Sequence, residues 1–263
     1  MTTTRTDGSG TGGGTGSTIR IVIGLVILVI GVTALLRVFT SASMGEATNT
    51  YTGVADLGLD LRNGPVVVTG GDTDEVLVEK RYTTGLFGGS TRAVQSDDTL
   101  TLSQSCPFIF GLGCRSEHHI SVPAGTTVTG STTNGSITIE GLAGMVDVTT
   151  SNGAIELDGV AATVSARTSN GAITGTGLLS TDLAISTSNG RVTLHFTQSP
   201  TSVEVSTSNG RIEVTVPDDS PPYAVTTSTS NGVVDIGIRS DPDAGQTIDL
   251  STSNGNITLQ YRG

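Results

Sequence analysis

A four-residue phrase ending in Asn-Gly occurs seven times in the C-terminal half of the chain. It is Thr-Thr-Asn-Gly in the first copy and Thr-Ser-Asn-Gly in the later ones, and successive asparagines are 18, 18, 19, 20, 22 and 23 residues apart. The asparagines are Asn134, Asn152, Asn170, Asn189, Asn209, Asn231 and Asn254. A near-constant period of this length predicts one supersecondary unit stacked on copies of itself. We therefore interpret the phrase as a structural corner and not as a catalytic motif.

Apolar residues recur at fixed distances from each asparagine. An aliphatic residue stands six positions before it, a threonine two positions before it, and an isoleucine or valine three positions after it. This alternation is typical of a half-buried strand on each side of the corner. The apolar residues stand at even offsets before the asparagine and at odd offsets after it, as expected if the corner turns the chain.

Two architectures satisfy the pattern. Asn-Gly is a strong hairpin signal, and hairpins would produce an antiparallel β-meander or sandwich. The alternative is an all-β, single-stranded parallel β-solenoid in which each repeat forms one rung about 4.8 Å from the next. Only the solenoid explains the recurring Thr-Ser, because identical residues on stacked rungs form hydrogen-bonded ladders. We predict the solenoid, with the seven asparagines as its corner ladder.

The N-terminal region predicts a tail, an anchor and a linker. Residues 1–18 are rich in Gly, Thr and Ser and are expected to be disordered. Residues 19–39 are almost wholly apolar and long enough for a transmembrane helix, with a cleaved signal peptide as the alternative. Residues 40–52 form a polar linker. Weak positive-inside bias predicts a single-pass protein of the cell membrane with a cytoplasmic N-terminus and an extracytoplasmic C-terminal domain.

The rest of the chain divides into two parts. Residues 53–125 contain diverged N-terminal rungs, including one around Asn63, and an insertion that would cap the N-terminal end. Residues 126–263 contain the regular repeats, and the chain stops soon after the last of them. An uncovered last rung would be an open edge, so self-association through the C-terminal rung is expected.

Cys106 and Cys114 are the two cysteines of the chain. An even count in an exported segment suggests a disulfide, and two unpaired buried cysteines are the alternative. The net charge is −11, which disfavours binding to nucleic acid.

The Val-Pro-Ala-Gly of Val122 to Gly125 precedes tandem [Thr/Ser]-Asn-Gly-x-[Ile/Val] rungs and follows an N-terminal membrane segment. In these features the chain resembles a bacterial domain-of-unknown-function family of β-strand-repeat candidate adhesins over residues 53–263. The cysteine pair also resembles that of actinobacterial members. The resemblance implies a right-handed β-solenoid at the cell envelope, and it implies no catalytic residues.

Candidate sites for chemistry are weak. His118 and His119 are adjacent on a predicted strand, so their side chains point to opposite faces and do not share a metal ion. Asp241-Pro-Asp243-Ala-Gly245 resembles the start of a calcium loop, but Thr252 stands where the closing glutamate belongs. Asp218 and Asp219 lie in the preceding corner and could bind calcium only weakly. We therefore expect no cofactor and no metal.

The sequence favours a non-catalytic, adhesin-like binding or scaffolding surface at the cell envelope, with a glycan or a protein as partner. An accessory protein in envelope-stress signalling is the alternative. A polysaccharide-acting enzyme is a third reading, but the predicted outward positions are mostly Thr, Ser, Asn and Ala, which are too neutral for paired acid–base catalysis.

Overall fold

Each Asn-Gly phrase lies at a corner where one strand ends and another begins. The computed structural model describes residues 43–84, 90–105 and 115–262. Their strands form two sheets, which we name sheet A and sheet B, and successive repeats add one strand to each. Within a repeat the chain runs along sheet B, turns at Asn-Gly and returns along sheet A.

Sheet A has eleven strands. From the N-terminal to the C-terminal end of the stack they are β1 (Ser43–Thr52), β4 (Glu75–Thr84), β7 (Arg115–Pro123), β3 (Val66–Gly71), β9 (Ile137–Glu140), β11 (Ile155–Asp158), β13 (Ile173–Leu178), β15 (Val192–Phe196), β17 (Ile212–Val216), β21 (Ile257–Tyr261) and β19 (Val234–Ile236).

Sheet B has ten strands. In the same direction they are β5 (Ser90–Ser96), β6 (Thr99–Ser105), β2 (Asp56–Asp60), β8 (Thr127–Thr132), β10 (Val146–Thr150), β12 (Val164–Thr168), β14 (Asp182–Asn189), β16 (Ser202–Asn209), β20 (Thr247–Asn254) and β18 (Ala224–Asn231).

The strands of successive repeats pair in parallel and in register. Val146 of β10 lies between Val128 and Val164 of its neighbours, and Ile155 of β11 lies between Ile137 and Ile173. The prediction of a parallel β-solenoid is therefore confirmed. The antiparallel meander is wrong for the repeats, because the two strands that flank each Asn-Gly belong to different sheets.

The core is a continuous apolar layer between the two sheets. Aliphatic side chains of every interior rung point into it, and Val146, Ile155 and Ile173 are each 0% exposed. Most inward positions hold a β-branched or leucine side chain, with smaller exceptions such as Ala166 and Gly175, so similar shapes stack along the axis and fill the layer.

The N-terminal end combines parallel rungs with antiparallel strands. The diverged rung around Asn63, formed by β2 and β3, pairs directly with β8 and β9. The rung formed by β6 and β7 lies on its other side. β4 pairs antiparallel with β7, β5 pairs antiparallel with β6, and β1 pairs antiparallel with β4. Most of the segment predicted as a linker, residues 43–52, is strand β1.

At the C-terminal end the order of the rungs differs from the order of the sequence. The rung of Asn254, formed by β20 and β21, pairs with β16 and β17 on one side and with β18 and β19 on the other. The expectation that the last repeat of the sequence forms the open edge is therefore wrong. The rung that ends the stack is the one that carries Asn231.

The side chains and the connections explain this order. Thr227 occupies the inward position that Leu250 holds on β20 and Val205 holds on β16, so β18 is the more polar rung and is better suited to the end. The connection 217–223 is long enough to cross two rungs, about 10 Å. The connection 237–246 then brings the chain back by one rung, so that β20 and β21 lie between the rung of Asn209 and the rung of Asn231.

Polar contacts hold the rung of β20 and β21 in place. The backbone N–H of Arg239 donates to the Tyr261 hydroxyl at 3.0 Å, and its guanidinium donates to the Ser220 carbonyl at 2.8 Å. The backbone N–H of Arg262 donates to the Val216 carbonyl at 2.8 Å. The bonds of Arg239 join the two long connections to each other and to Tyr261 of β21, and the bond of Arg262 joins the end of β21 to the end of β17.

Candidate binding surface

The side chains of the corner asparagines form one hydrogen-bonded ladder along the solenoid, which we call the corner file. The side-chain amide of Asn152 donates to the side-chain oxygen of Asn134 at 3.0 Å, and Asn170 donates to Asn152 at the same distance. The same bond joins each further pair of adjacent rungs. In stack order the file contains Asn63, Asn134, Asn152, Asn170, Asn189, Asn209, Asn254 and Asn231. It thus joins the seven predicted corner residues to Asn63.

The glycine after each asparagine is required by stacking. A Cβ on Gly171 would overlap the carbonyl oxygen of Gly153 on the neighbouring rung, and a Cβ on Gly190 would overlap that of Gly171. Of the eight glycines that follow the corner asparagines, Gly64 and Gly255 have a positive φ, 121° and 158°, and the other six do not. All eight approach a neighbouring backbone closely. The Asn-Gly pair therefore recurs because two backbones approach each other closely at this corner, and not because a hairpin turn needs a left-handed residue.

In six of the seven repeats, the threonine two positions before the asparagine donates to the glycine carbonyl of the adjacent rung. The Thr187 hydroxyl donates to the Gly171 carbonyl at 3.1 Å, and the Thr168 hydroxyl donates to that of Gly153 at 3.0 Å. Both threonines are buried. The repeated phrase is therefore one interlocked unit in which Asn bonds to Asn, Gly packs on Gly, and Thr bonds to the glycine of the adjacent rung.

We expect Thr187→Val to destabilise the protein by about 1–3 kcal/mol, because a buried carbonyl loses its donor while the shape of the side chain is kept. Chemical denaturation would measure the loss. Thr132→Val is the matched control, since Thr132 holds the same position and its buried hydroxyl has no hydrogen-bond partner. Its replacement is expected to be neutral or stabilising, and equal losses for the two variants would contradict the assignment.

At the N-terminal end of the corner file, Gln104, which the sequence did not predict as a site residue, bonds to the backbone of the Asn63 corner. Its side-chain oxygen accepts from the backbone N–H groups of Arg62 and Asn63 at 2.8 and 3.0 Å. Its amide nitrogen donates to Ser116 Oγ at 2.7 Å. A longer amide thus caps the corner where no further Asn-Gly rung follows. The one sequence signal that could have indicated this role was the presence of a glutamine in this diverged repeat.

The outer face of sheet B has a neutral area rich in hydroxyl groups at its C-terminal half. Adjacent rungs place serines in register, and Ser206 Oγ donates to Ser186 Oγ at 3.1 Å. We define the serine face as two parallel files, which consist of Ser186, Ser206, Ser251 and Ser228 in one and Ser188, Ser208, Ser253 and Ser230 in the other. All eight side chains are at least partly accessible to solvent, and the corner file borders them.

The outer face of sheet A carries several carboxylates. Glu140 and Asp158 lie on adjacent rungs as direct partners, and Glu156 and Glu213 lie further along the face. Glu140 accepts a hydrogen bond from the Thr69 hydroxyl at 3.2 Å, and Asp158 accepts one from the Thr176 hydroxyl at 2.8 Å. Sheet B has carboxylates on its outer face as well, with Glu204 and Asp249 as direct partners two residues before Ser206 and Ser251. Both faces are therefore acidic in part, and the serine face is a hydroxyl-rich area bordered by carboxylates.

The candidate metal residues do not converge in the structure. His118 is 1% exposed and points into the core, whereas His119 lies on the outer face and contacts Glu117 at 3.1 Å. Thr252, at the position for a calcium-loop glutamate, is buried and donates to the Gly210 carbonyl. In the part of the chain that is described, no cluster of three or more His, Cys, Asp or Glu residues could hold a metal ion.

His118 makes the stability of the solenoid depend on pH. Burial, followed by the positive charges of Lys80 and His119, lowers its pKa from 6.5 to about 4. Its Nδ1 atom has no hydrogen-bond partner, and Nε2 lies 3.5 Å from the Thr91 hydroxyl. The imidazole is therefore held neutral between β7 and its neighbours.

We expect the free energy of unfolding to fall by about 3 kcal/mol as pH drops from 7.5 to 4, because the unfolded chain takes up the proton near pH 6.5 and the folded chain resists it. The contribution is fully present above the unfolded pKa. Urea titrations at several pH values would measure it. In His118→Leu this component should disappear, and an unchanged pH profile in the variant would contradict its assignment to His118.

Two further predictions concern residues outside the described ranges. Cys106 and Cys114 lie there, so their disulfide stays a prediction. The predicted membrane segment 19–39 also lies there. Among the described residues there is no helix with the length and apolar character needed to cross a membrane.

Stacked parallel rungs with a shared Asn-Gly corner define a β-solenoid repeat protein. The chain matches the family described as Toastrack DUF4097 over residues 116–260, which is more than half of its length. It therefore belongs to that family of domains of unknown function, as the resemblance implied.

Three of the solved structures to which this chain is similar are bacterial proteins. A candidate adhesin from Bacteroides fragilis is 14% identical and has a TM-score of 0.48, covering 84% of this chain and 99% of its own. One from Parabacteroides merdae is 10% identical with a TM-score of 0.45, covering 85% and 98%. A candidate cell adhesion protein from Clostridium sporogenes is 11% identical with a TM-score of 0.34, covering 84% and 100%. None of the curated proteins matches the chain.

Proposed function

We propose that the protein is a non-catalytic, adhesin-like binding protein of the cell envelope, anchored by residues 19–39 with its solenoid outside the cell. The observation that carries the proposal is the serine face, a regular array of uncharged hydroxyl groups on an acidic protein. The proposed ligand is a neutral, hydroxyl-rich polysaccharide. Such a chain can exchange hydrogen bonds with several rungs at once.

The amino-acid composition of the chain predicts how strongly the serine face binds a polysaccharide. Aromatic residues are 3% of the chain and Trp is absent, so stacking platforms for sugar rings are scarce. A single net hydrogen bond contributes only about 0.5–1.5 kcal/mol. We therefore expect weak binding at each rung and useful affinity only for long polymers that contact many rungs together.

A binding role is favoured over catalysis by the acidic residues of sheet A. Glu140 and Asp158, the directly paired carboxylates, each accept a threonine hydroxyl bond on the acidic outer face. Hydrogen bonds that fix both carboxylates to neighbouring threonines suit a static surface.

Co-sedimentation of the detergent-solubilised full chain with insoluble neutral polysaccharides and with purified cell wall would test the proposal. The double variant Ser206→Glu/Ser251→Glu places two charges on the serine face and is expected to weaken binding at least about tenfold, or 1.4 kcal/mol. The matched control is Thr174→Glu/Thr193→Glu, which makes the same change on sheet A and should bind normally. Absence of binding by the wild type, or equal loss in both variants, would contradict the proposal.

A further inference from the structure

The C-terminal end of the stack presents two strand edges and the core between them. Among the residues that the structure describes, β18 pairs only with β20, and β19 pairs only with β21. On β19, Val234 and Ile236 are 38% and 39% exposed, whereas their partners on β21, Ile257 and Leu259, are 0% exposed. Val233 at the adjacent corner is 66% exposed. Apolar side chains are therefore concentrated on this one end.

The other end of the stack is built differently. Its outermost strands are β1 in sheet A and β5 in sheet B, which pair antiparallel to their neighbours. They carry charged side chains, Glu46 on β1 and Arg92 on β5, and both are exposed. Charges on an edge strand oppose pairing with another chain. The eight residues of β18, Ala-Val-Thr-Thr-Ser-Thr-Ser-Asn, contain no charge and no proline.

We propose that the end formed by β18 and β19 is an interface with a second copy of this chain, in which two solenoids meet end to end about a two-fold axis. A single extended peptide could pair with only one of the two edges and would leave the core open. Another solenoid end has the same separation between its sheets, so it covers both edges and the apolar layer together.

The difference between the two ends determines the kind of assembly. Because charged antiparallel strands close the N-terminal end, the end that remains for pairing is the same in both copies. An interface in which each copy contributes the same surface is isologous, and it closes at two subunits. The proposal is therefore a discrete dimer and not a filament.

The residues of the two edges suit antiparallel self-pairing. If the β18 pair is centred on Thr227, the two threonine hydroxyls face each other and Val225 lies opposite Thr229. If the β19 pair is centred on Ile236, Val234 lies opposite Ile238 and Asp235 lies opposite Gly237. The two Asp235 carboxylates then avoid direct opposition, which would be unfavourable.

Native mass spectrometry of the full chain released from detergent would test this interface. The wild type is expected at twice the mass of one chain, and Thr227→Lys at the mass of one chain, because an inward charge on the edge blocks pairing. Val94→Lys is the matched control on edge strand β5, where Val94 is 49% exposed, and it should remain dimeric. A monomeric wild type, a larger open-ended assembly, or a dimer that survives Thr227→Lys would overturn the proposal.

A cross-linking measurement keeps the test decisive if Thr227→Lys fails to fold. Thr227→Cys places two thiols at the two-fold axis, so mild oxidation is expected to produce a covalent dimer. Val94→Cys should remain monomeric under the same denaturing, non-reducing conditions. Equal cross-linking of the two variants, or none with Thr227→Cys, would count against the interface. Polysaccharide binding through the serine face is a separate property, so either proposal can fail without the other.

Discussion

Replacing Gly171 by alanine is expected to destabilise the protein by at least about 3 kcal/mol, at the upper end of the range for overpacking. The added Cβ would overlap the backbone carbonyl of Gly153, and both residues lie on interior rungs that cannot move apart without breaking the ladders on either side. Urea denaturation followed by circular dichroism would measure the loss. Native-state proteolysis should cleave the variant near this corner.

Gly71→Ala is the control for this prediction. Gly71 ends β3, its Cβ would meet nothing within 4 Å, and its φ is not positive. Its replacement should change stability by less than about 1 kcal/mol. A small effect of Gly171→Ala would show that the rungs can separate at the corner, and the stacking explanation of the repeated Asn-Gly would be wrong.

Leu250→Ala is expected to cost about 2–5 kcal/mol, the usual range for a leucine truncated in a packed core. Leu250 belongs to the last repeat of the sequence but is 0% exposed, because β20 lies between β16 and β18. If the repeats stacked in sequence order, this residue would lie on the end rung and its truncation would have a much smaller effect. Chemical denaturation therefore tests the order of the rungs.

Thr227→Ala provides the comparison, since Thr227 and Leu250 are direct partners on adjacent strands. Thr227 lies on the end rung and is only half-buried, so we expect a change of less than about 1 kcal/mol. A larger loss from Thr227→Ala than from Leu250→Ala would indicate that β18, and not β20, is the interior rung.

Much of the fold could be predicted because a stacked repeat shows its geometry in its period. The aliphatic positions before and after each asparagine correctly predicted a half-buried strand on each side of the corner. The recurring threonine favoured the solenoid over the hairpin. Asn63 and the leucines and valines around it were sufficient to predict a diverged rung that is distant from the regular ones in the sequence.

The candidate surface was only partly predictable. The serine face could be anticipated as a hydroxyl-rich outer surface, because outward positions alternate with inward ones. Its boundary could not, since it depends on which rungs are neighbours: Ser251 and Ser228 are adjacent in the sheet but come in reverse order in the sequence. The role of Gln104 also depends on a contact with Asn63, which is distant in the chain.

The sequence alone determined the unit of this protein, a two-strand rung with an Asn-Gly corner, because the pattern within a repeat reflects local alternation and contacts between identical neighbours. Only the tertiary structure decided the order of the rungs and therefore the end of the stack. Parallel rungs with the same register are interchangeable as partners, so local pattern cannot rank them. The choice depends on the polar Thr227, on the lengths of the connections and on the Arg239–Tyr261 contact, which act together only in the folded chain.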